Sequence, residues 1–301
     1  MTFQAARRRL APAFHRAVIE SAEESSIEEA SIEEALRFMA GLRHNSSIVD
    51  FQRKRGQESV AFLLPFLAPD MTVLDIGCGP GTITVALAEA VGSAIGVDVE
   101  PSAIDLARHL AASLDVANLR FIEADMTALP LEDRSVDAVL FHAVLYHQSR
   151  TMLARALGEA RRVLKPGGLV GTRDTDTGGN VLHPELEGLR LALDLWQRWY
   201  EHDDEQAVRF GRRQGSVLRA HGFTPLWCGA SYVNHSADEA ARQETVADAT
   251  RSLSSLGPEL VRRGRATEAE LREARAAWQV WGEDPDAVYF RCRCECVARK
   301  D

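Results

Sequence analysis

Lysine is nearly missing from this chain. Lys54, Lys165 and Lys300 are its only examples in 301 residues, so arginine supplies almost all of the 35 basic side chains. Against 44 acidic residues they leave a net charge of −9, and an acidic surface repels phosphate backbones. Arg7-Arg8-Arg9 is too short to make the basic patch that a nucleic-acid partner needs, so none is expected. Long apolar runs are missing too. The longest, Val60 to Ala68, is cut by Pro65, whereas a membrane helix needs about 20 apolar residues. No apolar stretch follows the three N-terminal arginines, which predicts no signal peptide and no membrane partner. The five cysteines, Cys78, Cys228, Cys292, Cys294 and Cys296, are odd in number. Together these absences point to reduced thiols in a cytoplasmic protein. The preference for arginine over lysine, with abundant alanine, hints at a GC-rich and bacterial genome. What remains is ordinary for a globular enzyme of one large or two modest domains: 46% hydrophobic and 26% charged residues.

Residues 1–56 are polar and helical in pattern, and they contain the tandem pentad Ser26-Ile-Glu-Glu-Ala30 and Ser31-Ile-Glu-Glu-Ala35. Each copy sets Ser three residues before Glu, the spacing of a helix capping box. A period of five is too short for a solenoid, so this is a local duplication in an N-terminal helical extension, a candidate lid. From residue 57 onward the pattern changes. Val60, Leu63, Leu64 and Leu67 share a helical face closed by Pro65 and Pro69. Short apolar runs then alternate with helical periods. Strands are predicted over 72–76, 94–98, 119–122 and 136–141, with a fifth beginning at Leu169–Thr172. Helices are predicted over 80–91, 101–114 and 151–164, the last stopped by Lys165-Pro-Gly-Gly168. Such alternation means βαβ units and a parallel sheet covered on both faces.

Past Asp176, Leu186, Leu189, Leu193, Trp196 and Tyr200 step by three and four along another helix. A helix over 210–221, a strand over 223–232, a helical stretch over about 237–282 and a final strand over 287–297 follow. The second half thus completes the sheet and adds a helical insertion before the last strand, within one domain over 57–301. Trp196, Trp199, Trp278 and Trp281 fit core packing or a pocket wall, with core the better reading.

The strongest chemical signal is Val73-Leu-Asp-Ile-Gly-Cys-Gly-Pro-Gly81 on the turn from first strand to first helix. Glycines there let a ligand lie almost on the backbone, at the carboxyl end of the strands. The dinucleotide fingerprint needs glycine where Thr82 stands, and Asp75 suits an ammonium group better than a diphosphate. Asp98 closes the second strand, where an acid receives the hydroxyls of a ribose. The bland alternative for it is a helix cap. Asp125 with Met126 follows the third strand, where an acceptor for an exocyclic amine and a thioether for a purine face are apt.

In these residues, with Gly96-Val-Asp98, Ala124-Asp125, Asp137-Ala-Val-Leu-Phe141 and Leu164-Lys-Pro-Gly-Gly168, the chain resembles the class I S-adenosylmethionine-dependent methyltransferases. It is most similar to the small-molecule branch related to ubiquinone and menaquinone biosynthesis. The resemblance covers about residues 57–174 and implies a Rossmann-like, doubly wound, seven-stranded α/β sheet. It implies S-adenosyl-L-methionine as cofactor, S-adenosyl-L-homocysteine as product and a small-molecule acceptor. Asp75, Gly77, Cys78, Gly79 and Gly81 would lie along the methionine part, and Asp98 and Val99 beside the ribose. Ala124, Asp125 and Met126 would meet the adenine, and Phe141 and His142 would floor the sulfonium end.

Methyl transfer is a displacement on an activated carbon, so the protein aligns the acceptor and removes a proton where needed. His142 and His147 are the candidate bases, His142 ahead because it directly follows the fourth strand. Packing within a pocket wall is the competing reading for both. Arg173, Asp174 and Asp176 after the fifth strand are candidates to orient the acceptor. Cys292-x-Cys294-x-Cys296 shares one face of a strand without a second ligand cluster, so buried thiols rather than a metal are expected. Two other functions stay open: a nicotinamide-dependent oxidoreductase, and an S-adenosylmethionine-binding protein without methyl transfer. A homo-oligomer is compatible with the chain.

Overall fold

The computed structural model describes residues 56–200 and 207–301. The tandem pentads and the rest of the N-terminal extension to residue 55 lie outside the described residues. The chain divides into two compact units. One comprises Asn180–Tyr200 and Asn234–Phe290, and the other the described residues up to Gly179 with 207–233 and Arg291–Asp301.

In the larger unit the alternation of apolar runs and helical periods becomes β1 (Thr72–Ile76), α1 (Thr82–Ala88), β2 (Ser93–Asp98), α2 (Pro101–Leu114), β3 (Leu119–Glu123), β4 (Val136–His142), α3 (Arg150–Val163) and β5 (Leu164–Thr175). These five strands pair in parallel in the order β3-β2-β1-β4-β5. Strand order reverses beside β1, so the crevice beyond the carboxyl ends of β1 and β4 is the switch point where such sheets bind ligands. The sheet continues through α5 (Gln214–Ala220) and β7 (Phe223–Asn234) to β8 (Val288–Lys300), which runs antiparallel to β5 from Leu169↔Arg299 to Thr175↔Arg293.

The core follows the strand periods. Leu74, Ile76, Val139, Phe141 and Val170 point to one face, against Leu157, Ala160 and Val163 of α3. Val73, Ala138 and Leu140 point to the other, against Val60, Leu63 and Leu87. Ser149 caps α3 by accepting from the Met152 amide at 3.3 Å. Two of the three lysines brace the start of β5: Lys165 reaches Asp137 at 2.7 Å and Lys300 the Leu164 carbonyl at 2.6 Å.

The smaller unit holds β6 (Val181–His183), α4 (Glu187–Tyr200), α6 (Glu239–Arg262), α7 (Glu268–Glu283) and the first residues of β8. Leu189, Leu195, Leu253, Leu260, Trp278 and Trp281 form its core, with Trp196 and Trp199 partly buried against it. The tryptophans therefore pack as core residues. Trp281 is fully buried and its indole N–H donates to the His183 carbonyl at 3.0 Å.

Two expectations need correction. The sheet has eight strands rather than seven, because the three-residue β6 pairs antiparallel with Val288–Phe290, and so short a strand leaves no periodic trace. Lys165-Pro-Gly-Gly168 does not separate helix from strand. Leu164 already pairs with Val136 and the next residues form an irregularity before Leu169 rejoins at Ala138. The helical insertion is two helices, broken where Thr267 and Glu270 form a reciprocal capping box, and it groups with α4.

Candidate active site

The glycine turn is held to the end of β2. The Gly77 and Cys78 amides donate to the Val97 carbonyl at 2.7 and 3.0 Å. Asp98 finishes the seat: one carboxylate oxygen accepts from the Gly79 amide at 2.9 Å, the other from Glu100 at 3.0 Å. Asp98 is not the cap of α2, since Glu100 holds the N-cap position, where its side chain caps no helix amide. Gly81 needs to be glycine. Its φ is +78°, and a Cβ there would stand 2.7 Å from the Phe121 ring and 2.8 Å from the Ala107 methyl. Around Gly79, by contrast, a Cβ would meet nothing within 4 Å.

Asp75 lies one residue from the end of β1 and is buried. It accepts from the Thr84 hydroxyl of α1 at 2.7 Å, so it ties the strand to the helix that the glycines join. Burial pushes its carboxyl up to about 7, the Thr84 bond opposes this, and nearby Asp98 adds to it. Burial, then Asp75 and Asp98, also push the Cys78 thiol up. A negative field at a cradle of bare backbone repels a diphosphate and suits a cation. S-adenosylmethionine carries both a sulfonium and an ammonium, so these residues fit it.

The remaining expected cofactor residues line the next strand ends. The Ala124 amide donates to the Asp98 carbonyl at 2.9 Å, and Asp125 accepts from the Thr127 amide at 2.7 Å. Met126 and Ala124 are partly buried against the core, while Val99 is exposed. Phe141 has its ring wholly within the core, so only its backbone faces the crevice.

The candidate histidines prove heavily engaged. His142 ends β4, and its Nε2 lies 2.9 Å from an Arg173 guanidinium nitrogen. Arginine only donates, so that Nε2 is an acceptor and its lone pair is occupied. Arg173 in turn donates to buried Glu295 at 2.9 Å and to Ser231 at 3.1 Å. On the turn Leu145–His147, the His147 Nε2 meets the Ala143 carbonyl at 3.2 Å, and Gln148 meets Nδ1 at 2.9 Å.

Of the three charged residues expected after the fifth strand, Arg173 and Asp174 lie within β5, which runs on to Thr175, and only Asp176 follows it. Two of the three are satisfied. Asp176 accepts from Arg212 twice at 2.7 Å, from the Arg212 amide at 3.0 Å and from the Gly178 amide at 3.1 Å. Asp174 differs. It is fully buried, and neither carboxylate oxygen has a hydrogen-bond partner. Cys292 and Cys296 are buried and Cys294 is half-buried, and among the described residues no group of three His, Cys, Asp or Glu could hold a metal ion. Sequence reasoning missed the roles of Thr84, Glu295 and Ser231: Glu295 and Ser231 act across long sequence gaps, and Thr84, only nine residues from Asp75, carries no signature of its own.

The family model described as a methyltransferase domain matches residues 73–168, the stretch from β1 to the start of β5. The probable methyltransferase ltbC of Aspergillus luteorubrus is 30% identical over 281 residues, which cover 85% of this chain and 95% of that one. This chain belongs to the class I S-adenosylmethionine-dependent methyltransferases. Its cofactor is accordingly S-adenosylmethionine, and the nicotinamide alternative falls. A demethylmenaquinone methyltransferase of Staphylococcus aureus is 36% identical over 108 residues, 35% of this chain and 43% of that one. Among solved structures, a putative methyltransferase of Bacillus halodurans shares the fold with a TM-score of 0.52 at 18% identity, covering 81% of this chain and 99% of that one. No described helix is long and apolar enough to cross a membrane.

Proposed function

We propose that this methyltransferase acts on a small organic acceptor in the cytoplasm. The observation that carries the reading is charge. The net charge of −9 disfavours polyanionic acceptors such as nucleic acids, and the Asp98 carboxylate stands at the cofactor end of the site as well. The relative named as a demethylmenaquinone methyltransferase supports the same class of acceptor.

In this reading the backbone from Gly77 through Cys78 and Gly79 to Gly81 receives the methionine part of the cofactor. Asp98 takes the ribose hydroxyls with Val99 beside it. Ala124, Asp125 and Met126 take the adenine, and the backbone at Phe141 with His142 forms the floor. Asp75 acts through Thr84 to keep the turn in place. The cofactor supplies a methyl carbon activated by a cationic sulfur. The protein's share is to seat it, exclude water and align the acceptor, and alignment alone is worth many orders of magnitude in effective concentration.

The test is incubation of the full chain and S-adenosylmethionine with separate pools of small metabolites, RNA and protein. Mass spectrometry should find a gain of about 14 Da, the mass of CH₂, in the small-molecule pool with release of S-adenosylhomocysteine. Methyl groups appearing in RNA or protein instead would overturn the reading.

A further inference from the structure

Buried polar atoms without partners recur where β5 ends, on both faces of the strand. Of the ten such side-chain atoms among the described residues, six belong to Thr172, Asp174, Thr175, Gln214 and Arg293. Three of these residues end β5, and Arg293 is the register partner of Thr175 on β8. Leaving a buried acceptor unmet costs about 1–3 kcal/mol, and more for a charge, so a cluster of them calls for a ligand or a chemical use.

Position connects this cluster to the cofactor seat. The Arg173 carbonyl accepts from the Ala143 amide at 2.9 Å, which lays the segment after β4 beside the end of β5. Val144 of that segment stands where a Cβ on Gly77 would be, 2.5 Å away. The end of β5 and the glycine turn therefore pack against the same stretch of chain, Ala143 and Val144. The two short turns Leu145–His147 and Gly211–Arg213, neither a long helix nor a strand, lie against β5 here.

We propose that Asp174 is the catalytic base, taking the proton from a phenolic or enolic hydroxyl on the methyl acceptor. This rests on the small-acceptor reading above. His147 has both ring nitrogens engaged and His142 gives its Nε2 to Arg173, whereas the Asp174 lone pairs are unclaimed. In the step, the hydroxyl proton passes to an Asp174 oxygen and the acceptor oxygen bonds the methyl carbon. The carbon–sulfur bond breaks with its electron pair staying on sulfur, and Asp174 then returns the proton to solvent. The hydroxyl class follows from acidity. Burial holds the Asp174 carboxyl up at about 7, opposed by Arg293 and by the Tyr146 backbone. A phenol near 10 is within reach of such a base, whereas an unactivated hydroxyl near that of water is not. The groups facing Asp174 are Tyr146 on the turn after β4 and Arg293 and Cys294 on β8. On the adjoining turn, Arg212 is paired with Asp176.

The experiment uses phenol as probe on the full chain saturated with S-adenosylhomocysteine. Calorimetric affinity for phenol should rise about tenfold as pH climbs from 5.5 to 8, as the carboxylate forms. D174N should abolish that rise, and unfolding by urea should show the variant at least as stable as wild type at pH 8. Failure of phenol to bind, a flat profile in wild type, or a D174N profile like wild type would each overturn the proposal. Methylated RNA or protein in the pooled assay is the separate sign that the small-acceptor reading itself has failed.

Discussion

Asp75 and Asp174 each stand one residue from the end of a strand of one sheet and share a set of properties. Each lies near a carboxyl end, each is buried, and each has its carboxyl raised to about 7, chiefly by burial. Their surroundings differ. Asp75 accepts from Thr84 on the following helix, in a turn whose other polar groups also find partners within the chain. Asp174 has no partner within hydrogen-bond distance, and only the Tyr146 backbone and Arg293 oppose its burial from farther off. A buried carboxylate with its partner supplied is scaffold, because its lone pairs are committed before any ligand arrives. Without a partner, the same burial keeps a base poised near neutral pH. Burial and a raised pKa therefore do not by themselves separate the two roles. Hydrogen-bond satisfaction does.

The comparison breaks most visibly at the scaffold end. Gly81→Ala places a methyl against Phe121 and Ala107 and forces a positive φ on an L-residue. The left-handed conformation costs about 1–2 kcal/mol and overpacking about 1–3 kcal/mol, so urea unfolding should show a loss of about 2–5 kcal/mol. Gly79→Ala meets open space and should lose only the conformational part. Equal losses at the two positions would mean the turn relaxes freely.

Asp98→Ala comes next. It removes the acceptor for two backbone amides and, in the proposed role, for the ribose. Hydrogen bonds to charged groups are worth about 1.5–3 kcal/mol, so titration should show S-adenosylmethionine affinity reduced about ten-fold to over a hundred-fold. Unchanged affinity would confine Asp98 to holding the turn.

The third test sets the two carboxylates directly against each other through pH. A carboxyl raised in the folded state favours the protonated form. Its stabilising contribution is complete below about pH 4 and is lost as pH rises through about 7. Neutral substitutions remove that loss. Asp174→Asn should gain stability on wild type between pH 5 and 8, and Asp75→Asn should gain less, because its charged form keeps the Thr84 bond. Chemical denaturation across pH checks the ranking, and a larger gain at Asp75 would reverse it.

The smallest effect belongs on the surface of the other unit. Arg251 and Asp248 pair with both side chains mostly exposed, so Arg251→Ala should change stability by no more than about 0.5 kcal/mol. A larger loss in calorimetry would show that surface pairs matter more here than their exposure implies.

Residues close in sequence determined a large part of this protein on their own. Alternating apolar runs and helical periods specify β1 to α3, because each element buries one face and its period is written locally. The glycines at 77, 79 and 81 specify the turn, since glycine tolerates the positive φ at all three and the crowding at 77 and 81. Asp98 and Asp125 are legible for the same reason: a residue at a strand end has few places to go. What lies across the fold was not legible. The burial of Glu295 depends on β8 running antiparallel beside β5, 122 residues away from its partner Arg173. The engagement of His142 depends on the parallel pairing of β4 with β5, which sets it opposite Arg173. Asp174 reads in sequence like its neighbours Arg173 and Asp176, all three being charges after an apolar strand. Only the tertiary structure gives partners to two of them and leaves the third buried without one, because hydrogen-bond satisfaction is a property of the assembled surroundings.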